Sequence, residues 1–297
     1  RKEGSYNPFP FINLNILLFK LKPDIIHCHD PKMGRVIKVR SAKVLYTIHA
    51  MDIPVDHYHH YDLLVAISDA VHANVASRCS ALIKTIYNGI PEQYFTRRSG
   101  FSLREEEPIR IVQVSRLEHE NKGHDILLHA LAKIKSEGNA NFVLDFIGIG
   151  RSFAHLVKLV HQLGLDSNVN FIGEKERQWL YNNLSEYHLL VQPSRYEGFG
   201  LTLLEGIAAG IPVLASNIDG PGEIIRRTSG GLLFESGDIQ SCADSLAKIF
   251  KLYKEGKMAE FMSQVKGLTE AEYSISTCAM NYSRVYLALA KPSLMAS

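Results

Sequence analysis

The sequence predicts an α/β protein of two doubly wound parallel sheets, and three observations predict it. Short β-branched or apolar runs alternate with helical patterns for most of the 297 residues, as parallel strands covered by helices require. A chain of that length suits two domains, and 46% hydrophobic content is ample for their cores. Lastly, a glycine-bearing turn, Gly198-Phe-Gly200, joins an apolar run to a helical one late in the chain.

Taken in order, the first part predicts strands over about 24–27, 44–48, 63–67 and 82–86, with Ser68 capping a helix. The polar stretch 96–108 reads as a linker. It divides a first domain, 1–100, from a second, 101–273. The second predicts strands over 109–115, 142–147, 169–172, 189–192, 213–215 and 231–234, and a helical tail. The last helix, about 274–297, is expected to pack back on the first domain. Such sheets bind ligands beyond the carboxyl ends of their strands. Arg116, Gly148, Gly173 and Glu197 each follow a predicted strand and should converge.

Composition excludes several classes. Cys28, Cys79, Cys242 and Cys278 form no Cys-x-x-Cys pair, so neither a disulfide framework nor a zinc ribbon is indicated, and a reducing cytoplasm fits. No signal peptide and no apolar run of the ~18 residues needed for a membrane span is read. Net charge is +2, yet residues 1–100 carry 13 Lys/Arg against 8 Asp/Glu. Lys20, Lys22, Lys32, Arg35, Lys38, Arg40 and Lys43 lie beside the apolar run 11–21, which suits a solvated helix face, a peripheral membrane surface or a dock for an acidic acceptor. Near-neutral overall charge and the lack of a nucleic-acid module argue against nucleic-acid binding.

The most informative stretch is Ser194-Arg-Tyr-Glu-Gly-Phe-Gly-Leu-Thr-Leu-Leu-Glu205. It runs from a buried-strand composition into a helix that Gly210 would end. Glycines at such a turn let backbone approach a ligand, and the helix's first N–H groups and dipole favour a diphosphate. A carboxylate beside an anion site is unfavourable unless hydroxyls donate to it, and a nucleotide sugar brings hydroxyls on sugar and ribose. Glu205, one turn into the helix, is placed for a ribose, and Glu197 for a sugar. Read alone, the pair fits a solvated Glu197 and a dipole-offsetting Glu205 equally well. A second clue is Val114-Ser-Arg-Leu-Glu-His-Glu-Asn-Lys-Gly123, whose Arg116 and Lys122 suit a diphosphate, the arginine as a fork and the lysine as a point charge.

Here the chain resembles a known group, the retaining glycosyltransferases of glycosyltransferase family 4, which have the GT-B fold of two Rossmann-like domains. The resemblance rests on Pro23-Asp-Ile-Ile-His-Cys-His29, Thr47-Ile-His49, Ala66-Ile-Ser68, Tyr87-Asn-Gly-Ile90, Ser115-Arg116 with Lys122-Gly123, Asn168-Val-Asn-Phe-Ile-Gly173, and 193–205. It implies sugar transfer from a nucleotide-diphosphate donor, a UDP-sugar, to a hydroxyl of a glycan or glycolipid, with retention and no obligatory metal. Bacterial lipopolysaccharide or envelope polysaccharide synthesis is the setting it suggests. By the match, Arg116 and Lys122 contact the diphosphate, Glu205 the ribose, Glu197 with Gly198, Phe199, Gly200 and Leu201 the donor sugar, and Gly173 the base. His49 matches a histidine facing the donor sugar. From the residues alone a core histidine is the better reading, and a neutral imidazole bonding a hydroxyl the other.

His27 and His29 alternate like metal ligands, and His57, His59 and His60 cluster. A metal is discounted because alternate strand residues face opposite sides and no carboxylate or cysteine completes either set. The sequence also departs from the family. The opening strand and glycine-rich loop of the first domain are not found, which leaves that domain incomplete in this reading, and Ala50 stands where glycine usually follows the histidine. Two other functions compete: a GT-B nucleotide-sugar epimerase, and a catalytically incomplete or partner-dependent glycosyltransferase-like subunit. A nicotinamide-dependent dehydrogenase fits poorly, since no Gly-x-Gly-x-x-Gly follows a first strand.

Overall fold

A computed structural model describes residues 9–104, 106–138, 141–268 and 272–290. The chain forms two compact units, 1–87 with 278–297, and 88–277. It crosses from the first to the second between Tyr87 and Asn88, ahead of the polar stretch that the sequence suggests as a linker. That stretch is strapped to the second unit. Thr96 N–H donates to Tyr181 O at 2.9 Å, and the Arg98 guanidinium donates to the carbonyls of Ser185 at 3.1 Å and Tyr187 at 3.0 Å.

The first unit comprises α1 (Phe9–Leu21), β1 (Ile25–Cys28), α2 (Met33–Val36), β2 (Lys43–Ile48), β3 (Leu63–Ala66), α3 (Asp69–Ala76) and β4 (Ile83–Thr85). Its sheet is parallel, in the order β1-β2-β3-β4. Ser68 caps α3 by accepting the Val71 N–H at 3.1 Å. β3, Leu63-Leu-Val-Ala66, is buried throughout, because helices on both faces of a parallel sheet leave no side exposed.

The second unit comprises β5 (Ile109–Val114), α4 (His119–Lys122), α5 (His124–Ser136), β6 (Phe142–Ile147), α6 (Phe153–Gln162), β7 (Val169–Gly173), α7 (Arg177–Asn183), β8 (Leu189–Gln192), α8 (Leu201–Ala208), β9 (Val213–Ser216), α9 (Asp219–Thr228), β10 (Gly231–Phe234), α10 (Ile239–Lys254) and α11 (Met258–Ser263). A final helix, α12 (Ile275–Ala290), begins in this unit, and its Val285 joins Leu45, Leu63, Val65 and Ile86 in the core of the first. The second core packs Leu127, Leu131 and Leu246 from helices against Ile111, Leu144 and Leu189 from strands. Each such fully buried side chain contributes roughly 1.5–3 kcal/mol.

The six-stranded sheet runs β10-β9-β8-β5-β6-β7. The chain therefore winds outward from β5 through β7, then returns to lay β8 against the other side of β5, with Ile111 opposite Leu189. Strand order reverses between β5 and β8, so the crevice beyond their carboxyl ends is the ligand position for this topology. The loops leaving those two strands carry Arg116 and Glu197, and the short α4 that follows β5 ends on Lys122. No helix among the described residues is long and apolar enough to cross a membrane.

Candidate functional site

The β8 loop is built for close approach. Gly200 has φ +108 and stands as the N-cap of α8, so no cap side chain covers the N–H groups of the first turn. Phe199 is buried against Tyr273, ring centroids 5.9 Å apart. Behind the turn, a Cβ on Gly220 would sit 2.3 Å from Phe199 Cα, so α9 begins directly against this backbone. The bared turn and the buried phenylalanine fix where α8's positive end points.

Two loops are then pinned together across the β5/β8 crevice. Gly123, φ +64, lies so close to the end of β8 that a Cβ there would meet Pro193 O at 1.8 Å. Arg195 donates to both Asp125 carboxylate oxygens, at 2.9 and 2.6 Å, and to His119 O at 3.0 Å. Its own N–H donates to Asn121 O at 2.8 Å. Within this frame Lys122 Nζ donates to Glu197 Oε2 at 2.6 Å, both side chains largely buried. Gln192 Nε2 donates to the same oxygen at 2.9 Å, and Thr202 Oγ1 donates to Gln192 Oε1 at 3.0 Å. On the other strand, Gln113 Nε2 holds Lys122 O at 2.9 Å.

Arg116 is exposed and pairs with Glu118 at 3.1 Å, a surface contact of little energy that an incoming anion readily replaces. The Glu205 carboxyl is partly buried in α8, and no donor among the described residues reaches it. Burial lifts its pKa to about 7, against the opposing pull of the Arg177 charge. Its ionised form is therefore disfavoured in the folded chain, and that penalty is present above pH 7 and absent below the carboxyl's ordinary range. Ligand hydroxyls are what such a group lacks. The loop after β6 and the end of β7 join the same rim: Gly148 N–H donates to Gly173 O at 2.9 Å, and a Cβ on Gly148 would lie 2.0 Å from Ser115 O. Gly173, φ +76, has open space where a side chain would stand.

Gln113, Gln192, Thr202 and the Arg195–Asp125 pair were not legible as site residues. Gln192 did carry a signal, as the one polar residue, at the carboxyl end, of the otherwise apolar and wholly buried β8.

His49 lies in the first unit, with its Nε2 2.8 Å from His29 Nδ1. Burial, then the neighbouring His29, lowers its pKa. The expectation that His27 and His29 face opposite sides fails, because β1 ends at Cys28 and His29 bends back until the two rings lie 4.3 Å apart. His27 is committed elsewhere, to Tyr286 and Thr47, both at 2.7 Å, and its pKa falls to about 4, chiefly through burial. Among the described residues no three His, Cys, Asp or Glu are grouped to hold a metal ion. The loop's left-handed residue is Asp52, φ 55, a residue type that tolerates that conformation.

Residues 96–264 match the family model of the glycosyl transferases group 1. The chain belongs to that family. Residues 1–94 of this group 1 glycosyltransferase chain match the model of glycosyltransferase family 4. It is 30% identical over 174 residues to the N-acetyl-alpha-D-glucosaminyl L-malate synthase of Bacillus anthracis, covering 57% of this chain and 44% of that protein. It is 27% identical over 252 residues to the lipopolysaccharide 1,6-galactosyltransferase of Escherichia coli, covering 78% and 67%. The chain spans about half the length of the curated relatives it matches. Among solved structures, Anabaena HepE with UDP and glucose superposes with a TM-score of 0.77 at 20% identity, covering 97% of this chain and 84% of that one. The two parallel sheets are thus those of the GT-B fold.

Proposed function

We propose that the protein is a retaining glycosyltransferase that moves a sugar from a UDP-sugar to a hydroxyl of a glycan or glycolipid. The observation that carries this is the Lys122–Glu197 pair at the β5/β8 switch point, beside the uncapped start of α8 and the unpartnered Glu205 carboxyl. Lys122, Arg116 and the N–H groups of Gly200 and Leu201 receive the diphosphate. Glu205, half protonated near pH 7, accepts from or donates to a ribose hydroxyl. Glu197 accepts from sugar hydroxyls, and Gly173 leaves room for the base. UDP is favoured by solved relatives of this fold that hold it.

In the transfer, the bond from the anomeric carbon to the β-phosphate oxygen breaks and its electrons leave with the diphosphate. An acceptor oxygen bonds to that carbon on the same face, and the acceptor's proton passes to the departing phosphate. Lys122, Arg116 and α8's positive end lower the barrier by holding the developing charge, so no metal is required. The family resemblance gives His49 a sugar-facing role, in which its imidazole would hydrogen-bond a hydroxyl. Calorimetry with UDP and UDP-sugars tests the donor site. Arg116→Ala and Glu205→Ala should each weaken binding by about tenfold or more, and unchanged binding in both would sink it.

The acceptor belongs to lipopolysaccharide or envelope polysaccharide synthesis, as the Escherichia coli relative's name suggests. The protein works at the cytoplasmic face, touching an anionic lipid surface through α1. That helix exposes Phe9, Ile12, Ile16, Phe19 and Leu21. It also flanks a groove of about 1010 Å³ whose apolar lining is edged by Lys20, Lys32, Arg35 and Lys38, the pairing that anionic lipid selects. Flotation with phosphatidylglycerol vesicles should carry the protein up at low salt and release it at high salt. Equal flotation with phosphatidylcholine alone would refute a charge-selected contact.

A further inference from the structure

We infer that Gln192, with Thr202 behind it, is a positioning residue that sets Glu197 for the donor sugar. This inference rests on the donor reading above. A carboxylate only accepts, so the amide face turned to Glu197 must be its NH2 group, which leaves Gln192 Oε1 to accept from Thr202. The threonine hydroxyl thereby fixes which way the amide points. Were that donor removed, the amide would be free to turn its oxygen toward the carboxylate and repel it.

The setting allows the amide little other freedom. Gln192 is 5% exposed, at the last residue of β8. A Cβ on Gly200 would lie 3.4 Å from its Oε1, in ordinary van der Waals contact, so the turn packs close to the amide. Both Lys122 and Gln192 use Glu197 Oε2, and Oε1 takes neither bond. That second oxygen is the one presented to sugar hydroxyls. When a diphosphate draws the Lys122 ammonium toward itself, the Gln192 bond keeps the carboxylate in place. Diphosphate binding thus depends on Lys122, and the sugar's added affinity depends on Gln192 and Thr202.

The test compares UDP with UDP-glucose, UDP-galactose and UDP-N-acetylglucosamine by calorimetry, and follows donor hydrolysis, in the unaltered protein and in Gln192→Leu, Thr202→Val and Thr202→Ser. UDP affinity should stay within about threefold throughout. Affinity for the preferred UDP-sugar and its hydrolysis should fall about 10- to 100-fold in Gln192→Leu and Thr202→Val, the scale of a lost hydrogen bond to a charged group, and recover in Thr202→Ser. Thr202→Val carries the test alone if Gln192→Leu does not fold. Equal losses for UDP and UDP-sugar, or no loss for the UDP-sugar, would overturn the positioning role. Failure of the unaltered protein to bind any of the four would overturn the donor reading itself, and this inference with it.

Discussion

Gly123→Ala should cost the protein about 3–5 kcal/mol of stability, more than its loss of backbone freedom explains. Alanine in the left-handed region costs roughly 1–2 kcal/mol by itself. Here the added methyl would also stand 1.8 Å from Pro193 O, a distance no side chain tolerates, so the α4–α5 junction or the end of β8 must move. Gly256 is the control: its φ is +67 but nothing lies within 4 Å of its Cβ, so Gly256→Ala should cost only about 1–2 kcal/mol. The difference is read from denaturant midpoints at constant m-value. Because Gly123 follows Lys122 and Pro193 leads to Glu197, the displacement should also part the ion pair and weaken UDP binding. If Gly123→Ala is as stable as Gly256→Ala, the two loops do not meet as described.

The second large effect is on the ligand. Lys122→Ala should lower UDP affinity and donor turnover by about 100-fold or more, the scale of a preorganised charge removed from a phosphate site. The ammonium is aimed before any donor arrives, by Glu197 at its head and Gln113 at its backbone carbonyl. Lys122→Arg should recover only part of the loss, because a planar fork does not fit where a point charge is held 2.6 Å from one carboxylate oxygen. Stability should change far less, since Glu197 keeps its bond from Gln192. Calorimetry with UDP checks this, and an affinity within threefold of the unaltered protein would remove Lys122 from the diphosphate site.

The strands were readable because parallel strands buried on both faces are unbroken apolar runs. Leu189-Leu-Val-Gln192, buried throughout, is bounded in the sequence where it is bounded in the structure, and so is the half-buried edge strand Gly231-Leu-Leu-Phe234. The α8 turn was readable for a similar reason, as glycines between a strand composition and a helix composition mark one local event. The partners of that turn were not. Lys122 and Glu197 are 75 residues apart, and nothing local says that the loop after β5 faces the loop after β8. The same limit misplaced His29, whose alternation with His27 holds only while the strand continues.

By itself, then, the sequence determined the elements, their alternation and the residue types at each strand's carboxyl end, since periodicity and turn chemistry act over a few residues. Only the tertiary structure decided which of those ends meet. The order β7-β6-β5-β8-β9-β10 puts the reversal beside Lys122 and Glu197. There, close approach at Gly123 and hydrogen bonds from Gln113, Gln192 and Arg195 bring two distant loops to 2.6 Å. Those contacts are long-range, so their geometry comes from packing and leaves no periodic trace in the chain.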